Sequence, residues 1–423
     1  MTGIQKKQRL LTMIFGAFAI FFTGYPHVWS IYQPYVMEQA GWSQGQASMC
    51  FYLALSTFVF GNIVGGRMQN RFKEKTIVWI GGGIFAAGIL ASTFLIVPTP
   101  LPMYLSYGVM QGFGQGMIYT VILATVQRWF PDRTGFASGV VVTANGLCGF
   151  FLAPLSRKLL EAEGVQKTFL IIGAAIAVSW ILCGIFFQAP DKSLVNAGGS
   201  AAKSGTSEMK QYTSGEMMRT RNFYLLLATM FFGLISYFMV SPVSQTHQID
   251  LGIPSAVAVS AVMLGSIVNA GARLVLPTLA DKVGRIVCIK GVLIVAVIAM
   301  GVLAVSRSLA VTVAVVLMYG CYGGIMGSFP SLTSSIFGMK HTGENYGFVM
   351  FGIVFATFGA PAISGLVSSK GYEMNVVFGI GAVFAVIAFV CLTLLGRNLV
   401  KEHAEKSAGV KNDTAQVSKP QAE

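Results

Sequence analysis

Long apolar segments separated by short polar gaps are the feature that most restricts the fold of this chain. A helix needs about 20 apolar residues to cross the hydrocarbon core of a bilayer, because that core is about 30 Å thick and each residue adds 1.5 Å. Twelve segments meet this requirement, and we predict a spanning helix in each. They are centred on residues 10–32, 47–69, 76–97, 101–128, 135–156, 168–189, 222–246, 255–280, 286–306, 309–336, 345–369 and 373–396.

The composition excludes most classes of soluble protein. The chain of 423 residues is 54% apolar and only 11% charged, whereas soluble domains carry about 25% charged residues. The net charge of +13 first suggests nucleic-acid binding, but the cations lie in the polar gaps, where they set membrane orientation. We therefore predict an all-α membrane protein in contact with the lipid bilayer, with no nucleic-acid partner.

The six cysteines are scattered and have no paired spacing. This pattern indicates small core residues and argues against a disulfide framework or a metal site. The chain also lacks the GxxxxGK[ST], HExxH and GxSxG patterns that carry common enzyme chemistries. We predict no cofactor, no metal and no enzymatic activity.

One long polar stretch divides the apolar segments into six and six. We predict an N-terminal six-helix bundle at 1–189, a cytoplasmic linker at 190–221, a C-terminal six-helix bundle at 222–396 and a disordered cytoplasmic tail at 397–423. With the N-terminus in the cytoplasm, most loop cations fall inside. The cations left outside are Arg157, Lys158, Lys167, Arg307 and Lys370. We therefore expect both termini in the cytoplasm, a multi-pass location in the plasma (inner) membrane, and a monomer.

The two halves resemble one another. VMQGFGQGMIY (109–119) aligns with LMYGCYGGIMG (317–327) at an offset of 208 residues, and GRMQNRFKEK (66–75) aligns with PTLADKVGR (277–285). Internal duplication around a central linker is typical of transporters whose site lies between two repeats. The pattern therefore predicts two pseudo-symmetric bundles.

Arg273 lies inside the eighth apolar segment, eight residues before the next charge, Asp281. That separation places it about 12 Å into the membrane, where a bare guanidinium costs about 3 kcal/mol or more. No acid in the apolar segments offers a permanent partner, so a bound carboxylate is the expected counter-charge. Asn269 lies one turn earlier on the same face and can orient the guanidinium or contact the substrate. An arginine that extends toward the cytoplasm is the structural alternative.

Several motifs, in this order, resemble the oxalate/formate antiporter family of the major facilitator superfamily, which is related to monocarboxylate transporters. They are RWFPDRTGFASG (128–139), SGEMMRTRNFY (214–224), TLADKVGR (278–285) and FPSL with NYG (329–347). The resemblance covers essentially the full length. It implies the superfamily fold and transport of a small carboxylate.

The resemblance also implies the position of the substrate pocket. Tyr119 matches a tyrosine of the family's pocket and shares a polar stripe with Gln115, one turn earlier. His27 and Asn145 stand where the oxalate transporter has tyrosines, and Tyr322 where it has a tryptophan. A histidine can bind the anion or carry a proton. A rim residue without a coupling role is the alternative for His27, and a buried tyrosine that only satisfies a neighbour is the alternative for Tyr119.

One departure from the family decides the expected substrate. The oxalate antiporter carries a lysine eight residues after the asparagine of NYG, and Ile353 stands there in this chain. A dianion would leave an uncompensated charge in a low-dielectric cavity. We therefore predict a monocarboxylate of the lactate, pyruvate or formate class, moved by alternating access with protons as a possible coupled ion. Oxalate/formate antiport and a carboxylate sensor that does not transport are the alternatives.

Five charged residues form the predicted cytoplasmic gate. The resemblance of TLADKVGR to the superfamily signature implies contacts between the bundles that stabilise an outward-open state. The residues are Asp281, Lys282, Arg285, Arg128 and Arg133. Orientation by positive charge is the simpler role, and both roles are compatible.

Overall fold

The structure is a computed structural model that describes residues 3–190 and 210–417. Within these ranges the chain is helical and has no strand. We number the membrane-spanning helices α1 to α12 and give interrupted helices by their parts. The bounds are α1, Gly3–Phe22, a 3₁₀ turn Tyr25–Val28 and Trp29–Ala40; α2, Gln44–Met68; α3, Glu74–Ser92; α4, Leu101–Met103, a π-helical stretch Tyr104–Gln111 and Gly112–Trp129; α5 and α6, both within Thr134–Phe186; α7, Arg221–Val240, a 3₁₀ turn Ser241–Val243 and Ser244–Asp250; α8, Ser255–Val283; α9, Arg285–Val305; α10, Ala310–Phe337; α11, Thr342–Val349 and Phe351–Ser369; α12, Met374–Val417.

The helix Thr134–Phe186 contains two spans. It has 53 residues, about 80 Å at 1.5 Å per residue, which is far more than one crossing requires. Gly164 interrupts it with φ 77° and ψ 172°, a conformation that glycine adopts without a steric penalty. Eleven helices in the described ranges are long and apolar enough to span a membrane, and the break at Gly164 divides one of them. The predicted twelve-helix fold is confirmed.

The first helix of each bundle is broken near its middle. In α1 the helix ends at Phe22 and resumes through the 3₁₀ turn that contains Pro26 and His27. Gly24 lies so close to α5 that a Cβ there would be 2.3 Å from the Asn145 carbonyl oxygen. In α7 the corresponding break is the turn Ser241–Val243. The break in α1 places its turn inside the protein, where neighbouring helices can satisfy the backbone. None of the three residues of the α7 turn is buried.

The repeated glycine motifs pack equivalent helices in the two bundles. A Cβ at Gly116 of α4 would lie 2.0 Å from the Phe58 carbonyl oxygen of α2. A Cβ at Gly324, 208 residues later in α10, would lie 2.4 Å from a methyl group of Leu276 in α8. Small residues at such positions allow helices to approach closely. The internal repeat seen in the sequence is therefore also a repeat of helix packing.

The described part of the linker is attached to the C-terminal bundle. Residues 191–209 lie outside the described ranges. After them, the backbone N–H of Tyr212 donates to the Phe337 carbonyl oxygen at 2.9 Å, and a short helix Ser214–Met218 begins at a capping box between Thr213 and Glu216.

The structure differs from the sequence prediction at the tail. The predicted disordered tail starts at residue 397, but α12 continues to Val417. Several strong helix formers occupy this stretch, and the Glu402 carboxylate accepts a hydrogen bond from the Asn222 side chain at 2.9 Å. The last six residues of the predicted tail, 418–423, lie outside the described ranges.

Candidate functional site

A small cavity lies between the two bundles, about midway along the spanning helices. Its volume, taken as the space open to the centre of a water molecule, is about 30 Å³. That is room for roughly two waters. The lining residues of the N-terminal bundle are Thr23, His27, Leu55, Phe58, Gln115, Tyr119 and Asn145, and those of the C-terminal bundle are Phe238, Tyr322, Met326 and Ile353. Five of the seven residues predicted to bind substrate therefore line one cavity.

Arg273 lies behind this wall and joins the bundles. Only 3% of the residue is exposed. Its Nε donates to Asn269 Oδ1 at 3.0 Å within α8, and its Nη1 donates to Asn145 Oδ1 at 2.9 Å and to the Val142 carbonyl oxygen at 3.3 Å in α5. The side chain also hydrogen-bonds to Tyr322. These partners are all neutral, and no carboxylate of the described residues forms an ion pair with the guanidinium.

The Arg273 guanidinium also lies close to an aromatic ring of the cavity wall. Its Cζ is 5.4 Å from the ring centroid of Tyr322, within the range of a cation–π contact. The same ring stacks on Tyr237, with centroids 4.2 Å apart and an angle of 14° between the planes. The Tyr237 ring therefore supports the ring that contacts the guanidinium.

A hydrogen-bond network connects Asn145 to the broken first helix. Asn145 Nδ2 donates to Thr23 Oγ1 at 3.0 Å, while the side-chain oxygen of Asn145 accepts from Arg273. The Thr23 carbonyl oxygen accepts from Gln115, whose own oxygen accepts from Gln111. These contacts join α1, α4, α5 and α8 and fix the orientation of the Asn145 amide.

Tyr119 presents a poorly bonded hydroxyl to the cavity. The residue is 2% exposed and lines the cavity. Its hydroxyl lies beside that of Tyr346, but the two do not meet the geometry of a good hydrogen bond. Buried hydroxyls normally have a well-placed partner, because an unsatisfied donor costs about 1–3 kcal/mol. The Tyr119 hydroxyl is therefore a donor that a bound anion could satisfy.

Ile353 and His27 complete the chemical description of the cavity wall. Ile353 is 7% exposed and lies one turn after the break in α11. The His27 side chain is exposed to the open space that the 3₁₀ turn of α1 borders. Among charged residues with described side chains, only Arg273 and Glu344 are buried, and Glu344 lies near the start of α11. Arg273 is therefore the only buried cation in the described part of the chain.

At the predicted cytoplasmic end, Asp281 of α8 binds the first turn of α5. Its two carboxylate oxygens accept from the backbone N–H groups of Gly135 at 3.1 Å and Phe136 at 3.0 Å. Arg285 Nη2 donates to Thr134 Oγ1 at 2.8 Å and to Asp281 at 3.1 Å. A carboxylate at a helix N-terminus satisfies free N–H groups and the helix dipole. We call this contact the Asp281 latch.

A second contact, the Glu344 latch, joins the bundles at the same end. Arg67 Nε of α2 lies 2.6 Å from Glu344 Oε1 of α11, which also accepts from the hydroxyl of Ser214 in the linker. Thr120 Oγ1 donates to the Gly343 carbonyl oxygen at 2.9 Å. Neither Arg67 nor Glu344 was predicted as a gate residue. The available signal was the acid at the start of α11, beside the NYG motif.

Three predicted gate residues lie outside these latches. Arg128 pairs within its own bundle, with Glu74 at 2.8 Å and Gln69 at 2.7 Å. Arg133 pairs with the adjacent Asp132 at 3.6 Å, and both side chains are exposed. Lys282 is exposed at the end of α8. The interbundle contacts predicted for Arg128 and Arg133 are not formed in this conformation, because nearer acids of the N-terminal bundle bind them.

The chain matches the sequence profile of the Major Facilitator Superfamily over residues 12–356. It belongs to the Major Facilitator Superfamily. Among curated proteins, it is 26% identical over 377 residues to the oxalate:formate antiporter of Oxalobacter formigenes, covering 88% of each chain. It is 28% identical over 230 residues to human monocarboxylate transporter 11, covering 54% of this chain and 47% of that protein.

Solved superfamily structures share the fold. FucP in its outward conformation has a TM-score of 0.71 at 13% identity, covering 92% of this chain and 99% of the FucP chain. A bacterial homologue of the iron transporter ferroportin, in its outward-facing state, has a TM-score of 0.70 at 12% identity, again covering 92% and 99%. At these identities the comparisons establish the fold alone.

Proposed function

We propose that this superfamily member is a secondary active transporter of a small monocarboxylate, of the lactate, pyruvate or formate class, that works by alternating access. The observation that carries the proposal is Arg273, the only buried cation of the described residues, which has no carboxylate partner among them and lies beside a cavity lined by the hydroxyl-bearing side chain of Tyr119. A carboxylate accepts such donors and carries the opposite charge.

The charge of the cavity favours a guest with one negative charge. A bound monocarboxylate neutralises Arg273, whereas a dianion keeps one charge in a site walled by Ile353, Met326 and Phe238. A buried charge without a partner costs several kcal/mol. The small cavity also favours a guest with few atoms, because about 30 Å³ is open in this conformation.

Substrate binding acts on the hydrogen bonds that join α5 to α8. Arg273 Nη1 binds the Asn145 oxygen and the Val142 carbonyl oxygen across the bundle interface. A carboxylate bound to the guanidinium competes with these neutral acceptors, because its full negative charge attracts the cation more strongly than the dipole of a neutral carbonyl does. Loss of those bonds frees the two bundles to move relative to one another.

The two latches set which end of the pathway is closed. The Asp281 and Glu344 latches join the bundles at the predicted cytoplasmic end, so access in this conformation is to the opposite side. Release of substrate to the cytoplasm requires both latches to open. Substrate that loosens the Arg273 contacts lowers the cost of that opening.

The coupled ion is a finer part of the proposal. His27 borders the cavity, and an imidazole can both bind an anion and carry a proton, which supports proton coupling. Exchange of oxalate for formate is the second candidate, supported by 26% identity to the oxalate:formate antiporter. Ile353 disfavours it. We further propose a monomer in the plasma membrane, with both termini in the cytoplasm and no enzymatic step.

Uptake by proteoliposomes tests this function. The purified protein should accumulate labelled pyruvate, lactate or formate, and an inward proton gradient should increase the rate. His27→Gln should remove the gradient effect, and Arg273→Gln should abolish uptake. The matched control is Arg157→Gln, which removes an exposed cation paired with Glu161 at 2.9 Å and should leave uptake unchanged.

Three results would contradict the proposal. Uptake of oxalate with no uptake of a monocarboxylate would refute the charge argument. Full transport by Arg273→Gln would make Arg273 structural. Binding of a carboxylate without flux would favour a membrane sensor.

A further inference from the structure

A second cleft lies on the outer face of the C-terminal bundle, between α9 and α12 at the predicted cytoplasmic end. Its volume, measured in the same way as that of the central cavity, is about 660 Å³. Its walls include Ile286 and Lys290 of α9 and Gly396, Arg397 and Lys401 of α12. Gly396 adds no side chain to the cleft, and a Cβ there would lie at ordinary contact distance, 3.4 Å, from Ile286.

The cleft is strongly cationic. Lys290, Arg397 and Lys401 line it, and no carboxylate is among the described residues that form its walls. The neighbouring acid, Glu402, accepts a hydrogen bond from Asn222 of α7. Arg397 and Lys401 are one turn apart on α12 and therefore lie on the same side of the helix. An anion bound between α9 and α12 would lie within reach of all three basic side chains.

Below the cations, the cleft continues into an exposed apolar surface. On α9, Ile294 and Ile298 follow Lys290 at intervals of four residues, and both are exposed. On α12, Val390 and Val386 precede Arg397 on the same side of the helix and are also exposed. The two helices run side by side, as shown by the Lys290 ammonium 5.8 Å from the Phe389 ring centroid. Charge and apolar surface thus follow one another along the membrane normal.

We propose that this cleft binds an anionic phospholipid. The lipid phosphate lies among Lys290, Arg397 and Lys401, and an acyl chain lies along the surface of Ile294 and Val390. Clusters of Lys and Arg between spanning helices on the cytoplasmic side are suited to anionic head groups. A soluble phosphate would use the cations but leave the apolar surface uncovered, so the combined site favours a lipid.

Native mass spectrometry of the purified full chain measures this binding directly. We expect dioleoylphosphatidylglycerol to remain bound at concentrations where dioleoylphosphatidylcholine does not. A lysine or arginine near an anionic surface contributes a factor of about 5 in affinity. The triple variant Lys290→Gln, Arg397→Gln and Lys401→Gln should therefore weaken phosphatidylglycerol binding about 100-fold.

Two further variants separate this site from general charge effects. The triple variant Lys6→Gln, Arg71→Gln and Lys73→Gln removes three exposed cations from the N-terminal bundle at the same end and should keep native lipid binding. Gly396→Leu keeps every cation but fills the cleft, and should reduce binding at least about 10-fold. Gly396→Leu also tests the proposal if the charge variant does not fold.

The proposal is overturned if phosphatidylglycerol and phosphatidylcholine are retained equally, or if both the charge variant and Gly396→Leu keep native binding. Binding of sn-glycerol 3-phosphate as tightly as of the lipid would replace the lipid with a soluble phosphate ester. The cleft lies away from the cavity, so these measurements do not depend on carboxylate transport.

Discussion

Replacement of Asp281 by asparagine should open the predicted cytoplasmic end of the transporter. The Asp281 carboxylate accepts from two backbone N–H groups at 3.1 and 3.0 Å and from Arg285, and only 14% of its side chain is exposed. Asparagine keeps one oxygen acceptor and loses the charge. The variant therefore loses about one hydrogen bond to a charged group, about 1.5–3 kcal/mol, and the interaction with the α5 dipole, about 0.3–1 kcal/mol.

A loss of about 2–3 kcal/mol shifts the equilibrium between the closed and open ends about 30- to 150-fold. The Glu344 latch remains, but it opposes the shift weakly. The Arg67 side chain is 59% exposed, and an ion pair with an exposed partner contributes at most about 1 kcal/mol. Arg67→Gln should therefore shift the equilibrium less than Asp281→Asn.

Electron–electron distance measurements detect this opening. Nitroxide labels at Lys73→Cys and Lys340→Cys, with the native cysteines replaced, report the separation of the two bundles at this end, since both side chains are exposed. Asp281→Asn should add a population at longer distance. Asp132→Asn is the matched control, because Asp132 is exposed and pairs with the exposed Arg133 of its own bundle at 3.6 Å. An unchanged distance distribution in Asp281→Asn would refute the assigned role of the latch.

Three further predictions concern the cavity and the linker. Ile353→Lys should raise the oxalate-to-pyruvate uptake ratio at least about 10-fold, because it adds the second cation that a dianion needs. Ile353→Met is the control. An equal uptake ratio in both variants would count against the charge argument. Asn145→Asp should suppress pyruvate binding, because the new carboxylate pairs with Arg273, whereas Asn145→Ala should retain binding. Titration calorimetry measures both, and equal binding by the two variants would oppose the role of Arg273 as the counter-charge for substrate. The Thr213 backbone N–H donates to the Glu216 carboxylate and lowers the pKa of Glu216 from its usual 4.5. The capping box of the helix Ser214–Met218 is therefore fully present above pH 4.5. It is lost as the pH falls through the lower pKa of Glu216 in the folded protein. Amide exchange in residues 213–218 should therefore rise at acid pH beyond its intrinsic change, and should not do so in Glu216→Gln.

The twelve-helix fold follows from the sequence because bilayer thickness makes each long apolar segment a helix. The breaks are harder to predict. A proline lies in each break, Pro26 in α1 and Pro242 in α7. A proline alone does not predict a break, however, because Pro330 lies inside the continuous helix α10. The helix that continues past Arg397 has a polar composition that is compatible with either a solvated helix or disorder, so the residue pattern alone does not decide between them.

For the candidate site, contacts within one helix were more predictable than contacts between helices. The spacing of Asn269 and Arg273 implies the same face, and the structure has their hydrogen bond at 3.0 Å. The roles of Thr23 and Asn145 depend on how α1 and α5 meet α8, which residue spacing does not specify. The same reason explains Arg128, which binds Glu74 across a short gap of its own bundle instead of reaching the other bundle.

Titration of the purified, unaltered protein with pyruvate and with oxalate tests the central claim most directly, namely that Arg273 is the single counter-charge for substrate. We expect pyruvate to bind at least about 10-fold more tightly than oxalate, because the second charge of oxalate has no partner in the cavity. Arg273→Gln should abolish pyruvate binding. Tighter binding of oxalate than of pyruvate by the unaltered protein would contradict the claim.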